Sequence, residues 1–225
     1  MKLITHTQGI VALHVAADEV LPDHGLSIRD LVEFLGNVYD FSVRPVIAPN
    51  TPLQLYGNLY FQSGKIYIDG EIYPIAALGV VPNGDLITAQ STEVADLIAD
   101  DFIEKLDSHF QYKMRNNIRR VAYLSSLVVK FDIDFEEKFN NVNKLSKIIN
   151  SFVKHDNKKF KLNRLAFGSK DPQPGIMTLE GVDNADFSIE RRAGAPPDEN
   201  WFFSAAPLKS EDHLLVLSEI ENALR

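Results

Sequence analysis

At 225 residues, with 45% apolar and 24% charged content, the chain is long enough to bury about 70% of its unfolded surface and lacks the charge excess of a disordered segment. It has no cysteine, which excludes disulfides, thiolate zinc sites, iron–sulfur clusters and a cysteine nucleophile. The formal charge of −8 is uneven, with net +8 over residues 105–165 against −10 over 1–104 and −6 over 166–225; this is a poor general nucleic-acid binder that still offers a local cationic surface.

The first residues, Met1-Lys2-Leu3-Ile4-Thr5-His6, are interrupted by polar side chains before any apolar run is long enough for a signal peptide, and nowhere do 18 apolar residues run together. The expectation is a cytoplasmic protein with no membrane partner. An apolar segment, Gly9 to Ala17, leads into a loop at Pro22-Asp23-His24-Gly25, and Ser27 then caps a helix over 27–39 carrying Leu31, Val32, Phe34, Leu35 and Val38. Three prolines between Pro45 and Pro52 mark an internal linker.

From Leu53 the pattern alternates as strands do. Lys65–Ile68 and Glu71–Ile75 flank Asp69-Gly70, a tight hairpin turn, and Pro82-Asn83-Gly84-Asp85 separates Leu78–Val81 from Leu86–Ala89. This predicts an antiparallel meander of about four strands. Ser91 or Thr92 caps a helix over 92–111 with Val94, Leu97, Ile98, Phe102, Leu106 and Phe110 as one stripe. A long strand is predicted over Val121–Phe135, and Asp134 with Glu137 resembles a capping box opening a helix over 135–154. That helix is read with Phe135, Phe139, Val142, Leu145, Ile149 and Phe152 inside and Lys138, Lys144, Lys147 and Lys154 outside. Strands follow at 160–167, 176–180, 187–191 and 201–205, and Ser210 caps a last helix over 210–224 with Leu214, Leu215, Leu217, Ile220 and Leu224 as its stripe.

Laying Thr92 over Ser210 matches Glu93 with Glu211, Leu97 with Leu215 and Phe102 with Ile220. The fold expected is therefore α+β, with mostly antiparallel sheets (Leu53–Ala89 and Val121–Ala205), about four amphipathic helices and two related β-meander-plus-helix halves. The chain reads as one domain over 1–225, divisible into subdomains 1–112 and 113–225.

No sequence pattern identifies a catalytic residue, a metal site or a cofactor. The six histidines lie at no metal-binding spacing. Asp132 and Asp134 share one side of the predicted strand and suit Mg²⁺ chemistry in a hydrolase, or else a solvated face running into a cap. No glycine-rich phosphate loop and no nucleophile elbow occurs. The basic centre interleaves Arg115, Arg119 and Arg120 with Tyr112 and Tyr123, a composition that grips phosphates and stacks on bases, and Lys144 and Lys147 continue it across 113–161. Arg191 and Arg192 precede Trp201-Phe202-Phe203, where alternation with Trp201 and Phe203 inward exposes Phe202 beside arginines, the composition of an interface hot spot. The leading expectation is a non-enzymatic interaction or structural subunit of a larger, self-associating assembly; nucleic-acid binding through the basic centre is the alternative, and a metal-dependent hydrolase the third reading.

Overall fold

The computed structural model describes residues 1–15, 27–47, 59–135, 137–152, 162–168, 179, 181–195 and 199–225. Eight strands, β1 (Lys2–His14), β2 (Leu59–Ile68), β3 (Glu71–Val81), β4 (Gly84–Ala89), β5 (Arg120–Lys130), β6 (Arg164–Phe167), β7 (Phe187–Arg191) and β8 (Trp201–Ala206), form one antiparallel sheet in the order β2-β3-β4-β1-β5-β8-β7-β6. The helices are α1 (Ile28–Val38), α2 (Thr92–Phe110), the single turn α3 (Met114–Asn117), α4 (Asn140–Phe152) and α5 (Ser210–Leu224). The α+β class and the antiparallel pairing are as expected. The division into two sheets is not: β1 joins them, paired with β4 on one side and β5 on the other. It can sit centrally because it is apolar on both faces, Val11 and Leu13 to one side and Ile10 and Ala12 to the other.

Among the described residues the chain runs strand, helix, three strands, helix, and after the single turn α3 does so again. β1, α1, β2, β3, β4 and α2 correspond in order to β5, α4, β6, β7, β8 and α5. Matched this way, the sheet order reads the same from either edge. The likeness noted between residues around Thr92 and Ser210 is thus the end of a longer pattern that includes the first strand and helix of each half. The two matched residues also touch. Thr92 N donates to Ser210 Oγ at 3.1 Å, Ser210 N donates to Thr92 Oγ1 at 2.7 Å, and both side chains are fully buried. Two helix N-termini, each with amides lacking an intrahelical acceptor, satisfy one another. The N-cap of α2 is Ser91, whose Oγ accepts from Val94 N at 3.4 Å, whereas Ser210 is the first residue of α5 and not its cap, because its hydroxyl is committed to Thr92. Gly9 makes this seat: a Cβ there would lie 2.0 Å from the Ser91 carbonyl carbon.

α1 and α2 cover one face of β1–β4. Leu31, Leu35, Ile98 and Phe102 meet Val11, Leu13, Phe61, Leu78 and Ile87 there. On the same face of the second half, Leu217 of α5 packs with Leu127, Val129, Ile189 and Phe202. Leu179 and Val182 cover Ala12 on the opposite face. The Asp69–Gly70 hairpin forms as the residues demand, both with positive φ (51° and 84°). The outer edge of β2 is closed by residues 39–43, with Lys65 N donating to Tyr39 O at 2.8 Å and Val43 pairing with Gln62.

Three element readings need correction. The predicted strand 121–135 ends at Lys130, because Phe131 N turns to Asn200 O (3.2 Å) and Asp132 N to Glu221 Oε1 (2.6 Å), so the backbone leaves the ladder to meet α5. Asp134 Oδ1 does accept from Glu137 N at 3.1 Å, but it opens a 3₁₀ turn (Glu137–Phe139), and α4 starts only at Asn140. Leu97 and Leu215, placed in the apolar stripes, are exposed; the buried stripe of α2 runs instead through Ala95, Ile98, Ala99, Phe102 and Leu106. The loop at 22–25, the linker beyond residue 47, the strand over 53–58, the predicted strand residues 160, 161, 176–178 and 180 and the lysines of the basic stretch over 153–161, Lys154 among them, lie outside the described residues.

Candidate functional site

The residues singled out in the sequence fall on separate elements. Arg115 is exposed on α3, a turn held by Asp107, which accepts from Met114 N (2.9 Å) and Arg115 N (3.3 Å). Arg119 is exposed, and its backbone N–H donates to His14 O at 2.9 Å. Arg120 reaches across the sheet: its Nη2 lies 3.0 Å from His14 Nε2 and donates to Asp183, which also accepts from Leu179 N at 2.6 Å. This cluster ties the segment carrying Leu179 and Val182 to the second face of the sheet. The aromatic residues meant to interleave with these arginines do not form a stacking platform. Tyr112 is buried against Phe110, and Tyr123 lies under the Lys209 ammonium at 4.6 Å. Lys209 also pairs with Asp96 at 2.7 Å, and that hydrogen bond raises its pKa.

Phe202 is not an exposed anchor. Strand β8 alternates with the opposite phase, so Phe202 is buried, its ring 5.4 Å from Phe131 and 5.1 Å from Phe135. Arg191 stacks over Phe202 at 5.2 Å, and Arg192 over Trp201 at 5.4 Å. The arginine pair thus caps aromatic rings from outside. Asp132 pairs with the Met1 amine (2.6 Å) and Arg225 (3.7 Å), and hydrogen bonding to the amine holds its carboxyl below the usual range. With Asp134 engaged as a cap, the two carboxylates do not share a site. Among the described residues no three His, Asp or Glu side chains converge as a metal site would require.

Buried polar groups that the sequence does not single out include His213 and Asp85. His213, wholly buried on α5, accepts or donates at both ring nitrogens, with Ser125 Oγ 2.8 Å from Nδ1 and Ser204 Oγ 2.8 Å from Nε2; Ser204 Oγ is also 2.7 Å from Ser188 O, to which it donates. Burial pushes the imidazole down to about 4, so it is neutral at pH 7. A serine–histidine pair suggests nucleophilic chemistry, but no substrate reaches a ring with no exposed surface, and the three residues serve to pin α5 to β5, β7 and β8. Asp85 on β4, opposite Leu13 and Val80, is likewise buried, and desolvation pushes its carboxyl up to about 8. Neither group has a sequence signature, since burial comes from strand pairing distant along the chain.

The surface that does stand out is α4. Lys144 and Lys147 lie on it, exposed as expected, but its apolar residues are exposed too: Leu145 and Ile148 at 57%, Ile149 at 48% and Phe152 at 80%. The sequence reading placed Leu145, Ile149 and Phe152 inside. Among the described side chains of α4 the least exposed are half-buried Val142, Ser146 and Asn150, a mostly polar row at i, i+4 spacing. A helix that presents four large apolar side chains beside two lysines has the composition typical of contact surfaces. Comparison with known protein families and with curated protein sequences finds no match for this chain.

Proposed function

We propose that the protein is a non-enzymatic interaction protein, a structural subunit of a larger assembly, with α4 as its contact surface. What supports this reading is the contrast between α4 and its counterpart α1. α1 buries Ile28, Leu31, Val32 and Leu35, whereas Leu145, Ile148, Ile149 and Phe152 of α4 are exposed. Exposed apolar clusters of this kind cost solubility and are characteristic of interfaces. The arginines proposed to contact nucleic acid support the alternative less well, since Arg120 is bound to Asp183 and the neighbouring tyrosines are covered.

Light scattering behind size exclusion, at low and high salt and with or without RNA or DNA, tests the reading. A discrete mass above one chain that nucleic acid does not change is the expected result. A single-chain mass that grows only when nucleic acid is added at low salt would move the function to the basic centre.

A further inference from the structure

We propose that the contact made by α4 is with α5 of a second copy of this chain, made twice about a two-fold axis. The proposal rests on the interaction reading above and names the partner. α4 contains Lys144 and Lys147 and no acidic residue. α5 has the complementary pattern. Its outer face exposes Leu215 and Val216, with exposed Glu211 and Asp212 one turn before and Glu219 one turn after, and no lysine or arginine occurs in Ser210–Leu224. An aliphatic pair between acids meets an aliphatic and aromatic row bordered by two lysines, on helices of 15 and 13 residues.

The placement of the two helices closes the contact. α4 and α5 belong to the same half, and Lys138, two residues before α4, donates to the carbonyl of Arg225 just past α5 at 3.3 Å. A copy that offers α4 therefore offers α5 beside it. An α4-to-α5 contact related by a two-fold axis occurs in both directions and leaves no unsatisfied end, which is the commonest form of homo-oligomer. A basic amphipathic helix also suits an anionic membrane, but Glu211, Asp212 and Glu219 on the neighbouring helix would face the same lipid and be repelled.

Mass by light scattering and sedimentation over a concentration series of the full chain tests this. The wild type is expected to reach a two-chain plateau. Leu145→Asp with Ile149→Asp should leave one chain with an unchanged circular dichroism spectrum, because both side chains are exposed. Lys144→Glu with Lys147→Glu should weaken association at least tenfold, as should Glu211→Lys with Glu219→Lys, and the four changes in one chain should restore it. A wild type that stays at one chain, including one that co-sediments with phosphatidylserine vesicles, overturns the self-docking. A dimer abolished by the α4 changes but indifferent to those on α5 overturns only the choice of α5 as acceptor. A dimer indifferent to both overturns α4 as the contact surface, and with it the reading proposed above.

Discussion

α1 and α4 occupy the same place in the two halves, each following the first strand and preceding a three-strand meander, yet they are held differently. α1 begins at Ser27, whose Oγ accepts from Asp30 N at 3.3 Å, and carries Ile28, Leu31, Val32 and Leu35 on the buried side. α2 also grips it, with Phe34 stacked on His109 at 4.1 Å and in edge contact with Phe110 at 5.0 Å. α4 is entered through a 3₁₀ turn, and its least exposed described side chains are Val142, Ser146 and Asn150. Equal amphipathicity in sequence does not say which face of a helix is buried. That depends on whether the sheet beneath it is wide enough to receive the apolar stripe. Among the described residues β2 and β3 run for 10 and 11 residues while β6 and β7 run for 4 and 5, so the described strands of the second half offer less apolar floor.

The largest test of this contrast is a matched pair of truncations. Leu35→Ala should lower the unfolding free energy by about 3 kcal/mol, the usual cost of a cavity at a fully buried leucine. Ile149→Ala, measured in dilute solution, should change it by less than about 0.5 kcal/mol. Equal losses in urea titrations would show that α4 is packed like α1.

The halves should also respond oppositely to pH. Asp85, in the first half, has a folded pKa raised to about 8, so the folded state holds its proton more tightly than the unfolded chain, whose value is about 3.9. Stability from this group is intact below about pH 4 and falls as pH rises towards 8. Asp85→Asn should abolish that decline and add on the order of 2 kcal/mol at pH 8 in a pH series of denaturation curves. His213, in the second half, is depressed to about 4 from about 6.5 in the unfolded chain. The unfolded state then binds the extra proton, and stability present above pH 6.5 is lost as pH falls towards 4. The same series on His213→Gln should lack this acid limb, at a cost of about 1–2 kcal/mol at pH 7 from disturbed contacts with Ser125 and Ser204.

A smaller loss than that of Leu35→Ala should lie where the halves meet. Thr92→Val and Ser210→Ala should each cost about 1 kcal/mol, but the double variant should cost clearly less than their sum, because either change alone already removes the 3.0 Å hydrogen bond that the two hydroxyls share. Strict additivity would mean that the two helix starts are independent.

Turns and short-range periodicity were legible in the residues themselves. Asp69-Gly70, the helix starts near Ser27 and Thr92, the final helix 210–224 and the strands 187–191 and 201–205 are set by backbone preferences and by alternation within a few positions, and these are local quantities. The exposed lysines of α4 were legible for the same reason, since charge is costly to bury.

Tertiary structure decided the rest. β1 reads as an apolar segment and becomes the central strand only because β4 and β5 both pair with it. Phe202 is inside because the ladder to β5 sets the phase of β8, and one residue of register exchanges the faces of a strand. Leu97 and Leu215 are outside because small residues and histidine, Ala95, Ala99 and His213, let the helices approach the sheet along a different line. Composition and periodicity determined that this chain would form helices over an antiparallel sheet. Which stripes are covered, which polar groups are neutral and which helix keeps its apolar residues exposed follow from contacts between residues more than a hundred positions apart, and no local pattern encodes those.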